Sequence, residues 1–342
     1  MKRILLPIVQ ISIAIALMWW IFRDPAKNKQ MLEGVQAANP LWLIGGIVSV
    51  GLAMLLQTQR WRLLMGVQGI QMGWFRTLRI FLIGAFFNLF LLGATGGDVV
   101  KIYYAMRETA SKKSAAFLSV LVDRIIGLMA LIAVTLVLCS LRWNLLMSDP
   151  LTQTLMATLA IVMAGSLGVV VAGFIVDRFE LVHKLPKWLP LHAKIVEMAT
   201  AFSVYARAPR VLAMAFALSI PAHILNFLAF FFTARAFGVF KGLEGFIDIV
   251  TVLPIILTIA AIPITPAGVG VREGLFEQVF FKLFGISKAV AVPISLIGFL
   301  MTVFWGLIGG LIYLAYRPSG GIHLKDIEDE VEAVENSIEK QA

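Results

Sequence analysis

Pro263-Ile264-Thr265-Pro266-Ala267-Gly268-Val269-Gly270-Val271-Arg272-Glu273-Gly274 interrupts an apolar run with two prolines, three glycines and an adjacent Arg–Glu pair. A lipid-facing helix does not carry such a stretch. Proline removes a backbone donor, and glycine loosens the helix. Backbone groups released in hydrocarbon must find partners in protein or in a water-filled cavity. The stretch therefore lines the inside of a membrane bundle or lies outside the membrane. Leu91-Leu92-Gly93-Ala94-Thr95-Gly96-Gly97-Asp98-Val99-Val100-Lys101 is of the same kind: small residues end an apolar run, and an acid and a base follow. Interrupted segments in corresponding positions of two halves point to a transport site.

The rest of the chain fits a membrane setting. Of its 342 residues, 60% are hydrophobic and 14% charged, with mean hydropathy +0.90; a soluble domain carries about 25% charged residues. The net charge of +9 does not indicate nucleic-acid binding. The bases fall in short loops between apolar runs, where they fit the positive-inside rule and contact with anionic headgroups. The single cysteine, Cys139, lies in an apolar run, so neither an internal disulfide nor a cysteine metal cluster is expected. Residues 4–22 follow Met1-Lys2-Arg3 but are longer than a signal core and precede no small-residue cleavage site, so they read as an uncleaved first helix.

Further full spans are expected over 41–59, 117–140, 155–176, 211–233 and 289–316, with shorter apolar segments at 80–93 and 246–262 leading into the two broken motifs. Arg60, Arg62, Arg76 and Arg79 read as one basic loop, a surface helix is expected over 192–207, and 317–342 is an acidic cytoplasmic tail. If the segments near 80–105 and 246–285 return to their own side, one face holds 20 of the 29 Lys and Arg residues. That face is then cytoplasmic, with both termini on it. The fold expected is an all-α polytopic protein of the inner (plasma) membrane, with about six full spans plus two re-entrant broken helices. The membrane domain covers 1–316 and divides into candidate inverted repeats, 1–140 and 154–316. The other reading is that one or both short segments cross fully.

Charges inside apolar segments cost at least about 2.5–3.5 kcal/mol at the bilayer centre, so Asp98, Lys101, Asp123, Arg124, Asp248, Arg272 and Glu273 face an interior or an interface. Three bases beside the amino ends of broken helices would suit a phosphate, and the acids would hold the bases when it is absent. Each group also has a plainer reading. Asp98 and Lys101 stand at i, i+3 and make an ordinary helix pair; Asp123 and Arg124 mark a span boundary; Asp248 is interfacial. His223 and Asn226 read as an interhelical hydrogen-bond pair rather than a proton relay. No P-loop, dinucleotide fingerprint, zinc-protease motif, nucleophile elbow or Asp-x-Asp pair occurs. No cofactor or metal is therefore expected.

Three stretches together resemble the flippase-like membrane domain of lysylphosphatidylglycerol synthases, which also occurs as free-standing proteins. Gly96-Gly97-Asp98 through Lys101, Tyr103 and Arg107 is similar to the family's Gly/Asp/Arg/Tyr region. Val122-Asp123-Arg124-Ile125-Ile126-Gly127-Leu128 is similar to its Glu-Arg segment. Pro266-Ala267-Gly268-Val269-Gly270-Val271-Arg272-Glu273 is similar to its Pro-Gly-Gly loop. The likeness spans roughly residues 1–316. Lys101 stands where the family has Arg, Asp123 where it has Glu, and Ala267 where it has Gly; Gly97 and Asp98 are adjacent, without the intervening residue and second glycine. No segment here resembles the synthases' soluble aminoacyl-transferase domain, so lysine transfer is not expected.

The resemblance implies a lipid flippase or carrier that takes a phosphate-bearing headgroup in a cavity between the broken segments. Its substrate-binding set would be Gly96, Gly97, Asp98, Lys101, Asp123, Arg124, Pro266, Gly268, Gly270, Arg272 and Glu273. The expected partners are membrane lipids, an anionic phospholipid or a polyprenyl phosphate, with a second copy of the chain or a lipid-modifying enzyme as compatible protein partners. Two other functions use the same charges: a membrane-embedded transferase acting on a lipid phosphate, and a non-transporting member of a lipid-modifying complex.

Overall fold

The computed structural model describes residues 12–13, 15–90, 96–108, 113–178, 204–205, 207–262 and 265–315. Among these there is no strand, and the protein is an all-α polytopic membrane protein. After a helical stretch up to residue 22, the helices are α1 (Pro25–Gln36), α2 (Pro40–Val67), α3 (Trp74–Phe90), α4 (Gly96–Glu108), α5 (Lys113–Leu141), α6 (Trp143–Leu146), α7 (Pro150–Arg178), α8 (Pro209–Ala236), α9 (Gly242–Ala260), α10 (Val271–Phe284) and α11 (Lys288–Ala315). By length and apolar content, α2, α5, α8, α9 and α11 can each cross a membrane. The expected helix over 192–207, apart from 204, 205 and 207, and the tail 317–342 lie outside the described residues.

Local chemistry sets the helix ends. Asn39 caps α2 by accepting the Leu41 N–H at 3.0 Å, with Pro40 in the first turn. Gly285, at φ 65°, closes α10 in the left-handed conformation. The expected loop from Arg60 onward is corrected: α2 continues to Val67 and takes in Arg60 and Arg62. Apolar residues keep helical spacing past 59, and Trp61, Leu64 and Met65 are fully buried. Arg62 then donates to the Met72 carbonyl at 3.1 Å and closes the turn. Tyr205, ahead of α8, donates to the Leu64 carbonyl at 3.1 Å, and burial raises its phenol above the ordinary value.

Each broken motif falls between two packed helices, and its described residues begin the second of them. In the first, Gly97 donates its N–H to the Asn88 side chain at 2.8 Å. A Cβ on Gly97 would strike the Gly84 carbonyl. A Cβ on Gly84 would meet the Lys101 stem at 3.0 Å. Contacts that step back along α3 as they step forward along α4 define an antiparallel hairpin, closed by small residues at backbone distance. The 17 residues of α3 rise about 25 Å, short of the roughly 30 Å hydrocarbon core. The second pair is α9 and α10, joined through the turn Pro266–Gly268. At 19 residues, α9 is long enough to cross.

The packing has an internal correspondence. Helix α2 lies along α8, and the main pairings around the first hairpin have counterparts around the second. Helix α3 touches α2, α4, α11 and the turn Pro266–Gly268, while α9 touches α8, α10, α5 and also α7. Helix α4 packs on α5 as α10 packs on α11. The interhelical seams are closed by glycine: Gly309 abuts the Leu82 carbonyl and Gly46 abuts Met301.

Candidate functional site

Two charged clusters occupy this frame, one per hairpin. In the first, Arg60 of α2 places its fork on Asp123 of α5, with Nε–Oδ1 2.7 Å and Nη2–Oδ2 3.0 Å. Its Nη1 donates to Ser219 Oγ of α8 at 2.9 Å. Arg60 and Asp123 are both buried. The fork fits because position 127 is glycine; a Cβ there would lie 2.9 Å from Nη1. The Gly127 carbonyl also meets His223 Nε2 of α8 at 2.9 Å. One guanidinium thus joins three helices, and all its charge-bearing contacts are made inside the bundle. A buried pair of this quality about offsets its own desolvation, whereas a lone member would be costly.

Asp98, three residues into α4, accepts a second fork. Arg124 Nε lies 2.6 Å from Oδ2 and Nη2 2.9 Å from Oδ1. The neighbours Asp123 and Arg124 therefore serve different partners. The Arg124 side chain is 48% exposed, and it shares a stripe of α5 with Phe117 and Leu121, also exposed. Lys101 stands one turn beyond Asp98 and is 5% exposed. Its ammonium lies 3.9 Å from the Phe81 ring centre, 5.6 Å from that of Trp61 and 3.9 Å from Asp98 Oδ1. Among the described residues it donates no hydrogen bond. The i, i+3 pair of Lys101 and Asp98 forms at the long end of the range, while Arg124 takes both Asp98 oxygens at close distance and aromatic faces cover the ammonium.

The second cluster is closed. Glu273 Oε2 accepts the Gly270 N–H at 2.6 Å, while Oε1 accepts from Ser295 Oγ at 2.9 Å and from Arg272. Arg272 Nε also reaches Ser295 Oγ at 3.0 Å, and the guanidinium sits 4.1 Å over Phe299. Arg272 is 3% exposed and Glu273 is fully buried. The turn before it is left-handed at Ala267, Gly268 and Gly270, with φ of 51°, 70° and 86°, and Gly270 packs on Leu17. The turn Pro266–Gly268 touches α3, the helix that leads into the first motif.

Of the residues singled out from sequence, the structure joins Asp98, Lys101 and Arg124 directly, with Gly96 and Gly97 opening their helix. Asp123 stands beside them, bound to Arg60. Pro266, Gly268, Gly270, Arg272 and Glu273 form a separate group whose partners are Ser295 and Phe299. Asp248 meets Arg142 at 2.7 Å, and its neighbourhood holds a cavity of about 460 Å³ lined by Val239, Phe240, Lys241, Glu244 and Phe284, away from both clusters. Asn226 bonds within its own helix, to the Ala222 carbonyl, so only His223 of that pair links helices. Arg60, Ser219 and Ser295 were not anticipated. Arg60 had a readable sign, an apolar pattern that runs on past it; the two serines had none. Among the described residues, no three His, Cys, Asp or Glu side chains converge as metal ligands.

The model of the lysylphosphatidylglycerol synthase transmembrane region matches residues 8–310. The chain belongs to that family. Its relatives include a UPF0104 membrane protein of Pyrococcus horikoshii, 22% identical over 340 residues, covering 93% of this chain and 98% of the relative. Another, from Methanothermobacter thermautotrophicus, is 23% identical over 332 residues, covering 90% and 93%. In this family member the matched region takes in both hairpins and every helix that supports the two clusters. The expected membership is thereby established, and with it a membrane protein linked by family to lipid metabolism.

Proposed function

We propose that the protein is a lipid carrier that takes an anionic, phosphate-bearing headgroup at the Asp98–Lys101–Arg124 cluster. One observation carries this reading. A buried ammonium that approaches Asp98 only at 3.9 Å shares that carboxylate with a guanidinium on an exposed stripe of α5. Such a pair can pass a phosphate inward from the bilayer: Arg124 offers a planar fork in exchange for Asp98, and Lys101 offers three unused N–H donors. The second cluster, saturated and buried, then serves as a fixed latch holding the turn 265–270 against α3.

The paired hairpins and matched packing support a mechanism in which one half rocks against the other around α2 and α8, the two halves being inverted repeats. The protein then lies in the plasma membrane with its basic loops cytoplasmic. The test is transbilayer movement of a fluorescent phosphatidylglycerol, and separately of a fluorescent polyprenyl phosphate, in proteoliposomes with an impermeant quencher. Fast loss of the protected inner pool supports the reading. Protection equal to protein-free vesicles for both lipids contradicts it.

A further inference from the structure

One end of the bundle gathers the finish of α5, α8 and α10 and the start of α7, α9 and α11. The chain joins the second hairpin to the rest of the bundle only here, through residues 237–241 before α9 and 285–287 after α10. Both connections run through left-handed backbone, with φ of 77° at Gly238, 53° at Phe240 and 65° at Gly285. A side chain rarely takes that conformation, and it persists only where its surroundings impose it. The Phe240 ring meets Phe280 and Phe284 edge-on, with centroids 5.3 and 4.9 Å away. Its backbone abuts Gly245, where a Cβ would lie 2.3 Å from the Phe240 carbonyl carbon. Phe240 is thus fixed to both helices of the hairpin. The joints are Gly238 and Gly285, each with open space where a Cβ would go.

The ion pairs at this end differ from those deeper in the bundle. Arg142, at the corner of α5 and α6, meets Asp248 at 2.7 Å and Glu244 at 3.5 Å, both in the first two turns of α9. Lys282, in the last turn of α10, meets Asp149 at 3.4 Å. Asp149 is itself fixed at the start of α7, where it accepts the Leu151 N–H at 2.8 Å. These five side chains are 21–82% exposed, against at most 8% for the Arg60–Asp123 and Arg272–Glu273 pairs. Water and salt reach the exposed pairs, so they part at little cost; the buried ones do not. The cavity of about 460 Å³ beside Asp248 gives the first turns of α9 room to move.

Resting on the carrier reading, we propose that the second hairpin is a flap. Its tip, fixed by the buried Arg272–Glu273 cluster, is the pivot. Gly238 and Gly285 are the joints, and Arg142 and Lys282 strap the open end shut against α5 and α7. Release of this strap opens one end of the bundle, the step by which the two halves part.

The experiment fixes the strap chemically in the full chain. Arg142→Cys/Asp248→Cys, in a Cys139→Ser background, is bridged in proteoliposomes by a short bis-methanethiosulfonate reagent and then released with reductant. Transbilayer movement is read in both states with fluorescent phosphatidylglycerol or polyprenyl phosphate, whichever wild type moves. Bridging should slow movement at least about tenfold, and reduction should restore it. Each single cysteine, treated alike, should keep its untreated rate. Recovery on reduction separates a locked flap from a misfolded protein. A second readout is independent of transport: the distance between nitroxides at Trp143→Cys and Leu243→Cys, both exposed positions, by double electron–electron resonance. Adding Arg142→Gln should enlarge a longer-distance population. Bridged protein that moves lipid at its untreated rate overturns the flap, as does a distance distribution that Arg142→Gln leaves unchanged. If wild type moves neither lipid, the carrier reading fails, and the distance measurement alone decides whether the flap opens.

Discussion

At the residue scale, Arg60 and Lys101 show how two bases in one bundle come to different ends. Arg60 has its own carboxylate, a serine and a glycine that makes room for it. It is a structural cross-brace between α2, α5 and α8. Asp123→Ala should therefore cost about 3–5 kcal/mol, because it leaves a guanidinium buried without its partner; thermal unfolding in detergent measures this, and an unchanged midpoint would contradict it. Gly127→Ala tests the same brace sterically. Its methyl would lie 2.9 Å from Arg60 Nη1, so a loss of about 1–3 kcal/mol is expected. Lys101 has no such set. Lys101→Met keeps the stem against Phe81 and removes the unmatched charge, so its thermal midpoint should equal or exceed that of wild type. A base that loses function but not stability on neutralisation is a ligand-facing base.

At the scale of elements, the hairpins were legible because proline, glycine and paired charges cannot sit on a lipid-facing helix. Their tips follow from residues that sequence names directly: Gly97 beside Gly84, and Gly270 with a positive φ. What could not be read was how the acids and bases pair. Asp98 and Lys101 are neighbours on one helix, yet Asp98 reaches across 26 positions to Arg124. Adjacent Asp123 and Arg124 part company because successive helical residues point about 100° apart. The end of α2 was missed for a related reason. An arginine after an apolar run looks like a boundary unless the pattern beyond it is followed to Trp61, Leu64 and Met65. The glycines of the second motif offer a graded test. Gly274, in the interior of α10, has open space where a Cβ would go, so Gly274→Ala should be neutral or stabilise by up to about 1 kcal/mol. Gly270, at φ 86° with Leu17 against it, should not accept alanine. A ranking of the two thermal midpoints in the opposite order would refute the assigned turn.

At the scale of the whole molecule, fold class and family were accessible from sequence because hydropathy and interrupted segments are long-range patterns. The correspondence of packing around α2 and α8 was not, since no residue-by-residue repeat accompanies it. The proposed inverted repeats assign opposite faces to the turn after α2 and the turn after α8. Single cysteines at Gln68 and Gly238, introduced into a Cys139→Ser background, should therefore react with an impermeant maleimide from opposite sides of sealed vesicles. Labelling from one side would contradict the inverted arrangement. The claim on which the functional account turns is that a lipid headgroup passes through the Asp98–Lys101–Arg124 cluster. Its most direct test is the initial rate of phosphatidylglycerol movement in proteoliposomes, compared for wild type, Lys101→Met and Arg272→Lys. The account predicts at least a tenfold slowing for Lys101→Met, about 1.4 kcal/mol in the barrier, at undiminished thermal stability. It predicts instead a lowered thermal midpoint for Arg272→Lys, whose arginine belongs to the latch. A Lys101→Met rate equal to that of wild type would contradict it.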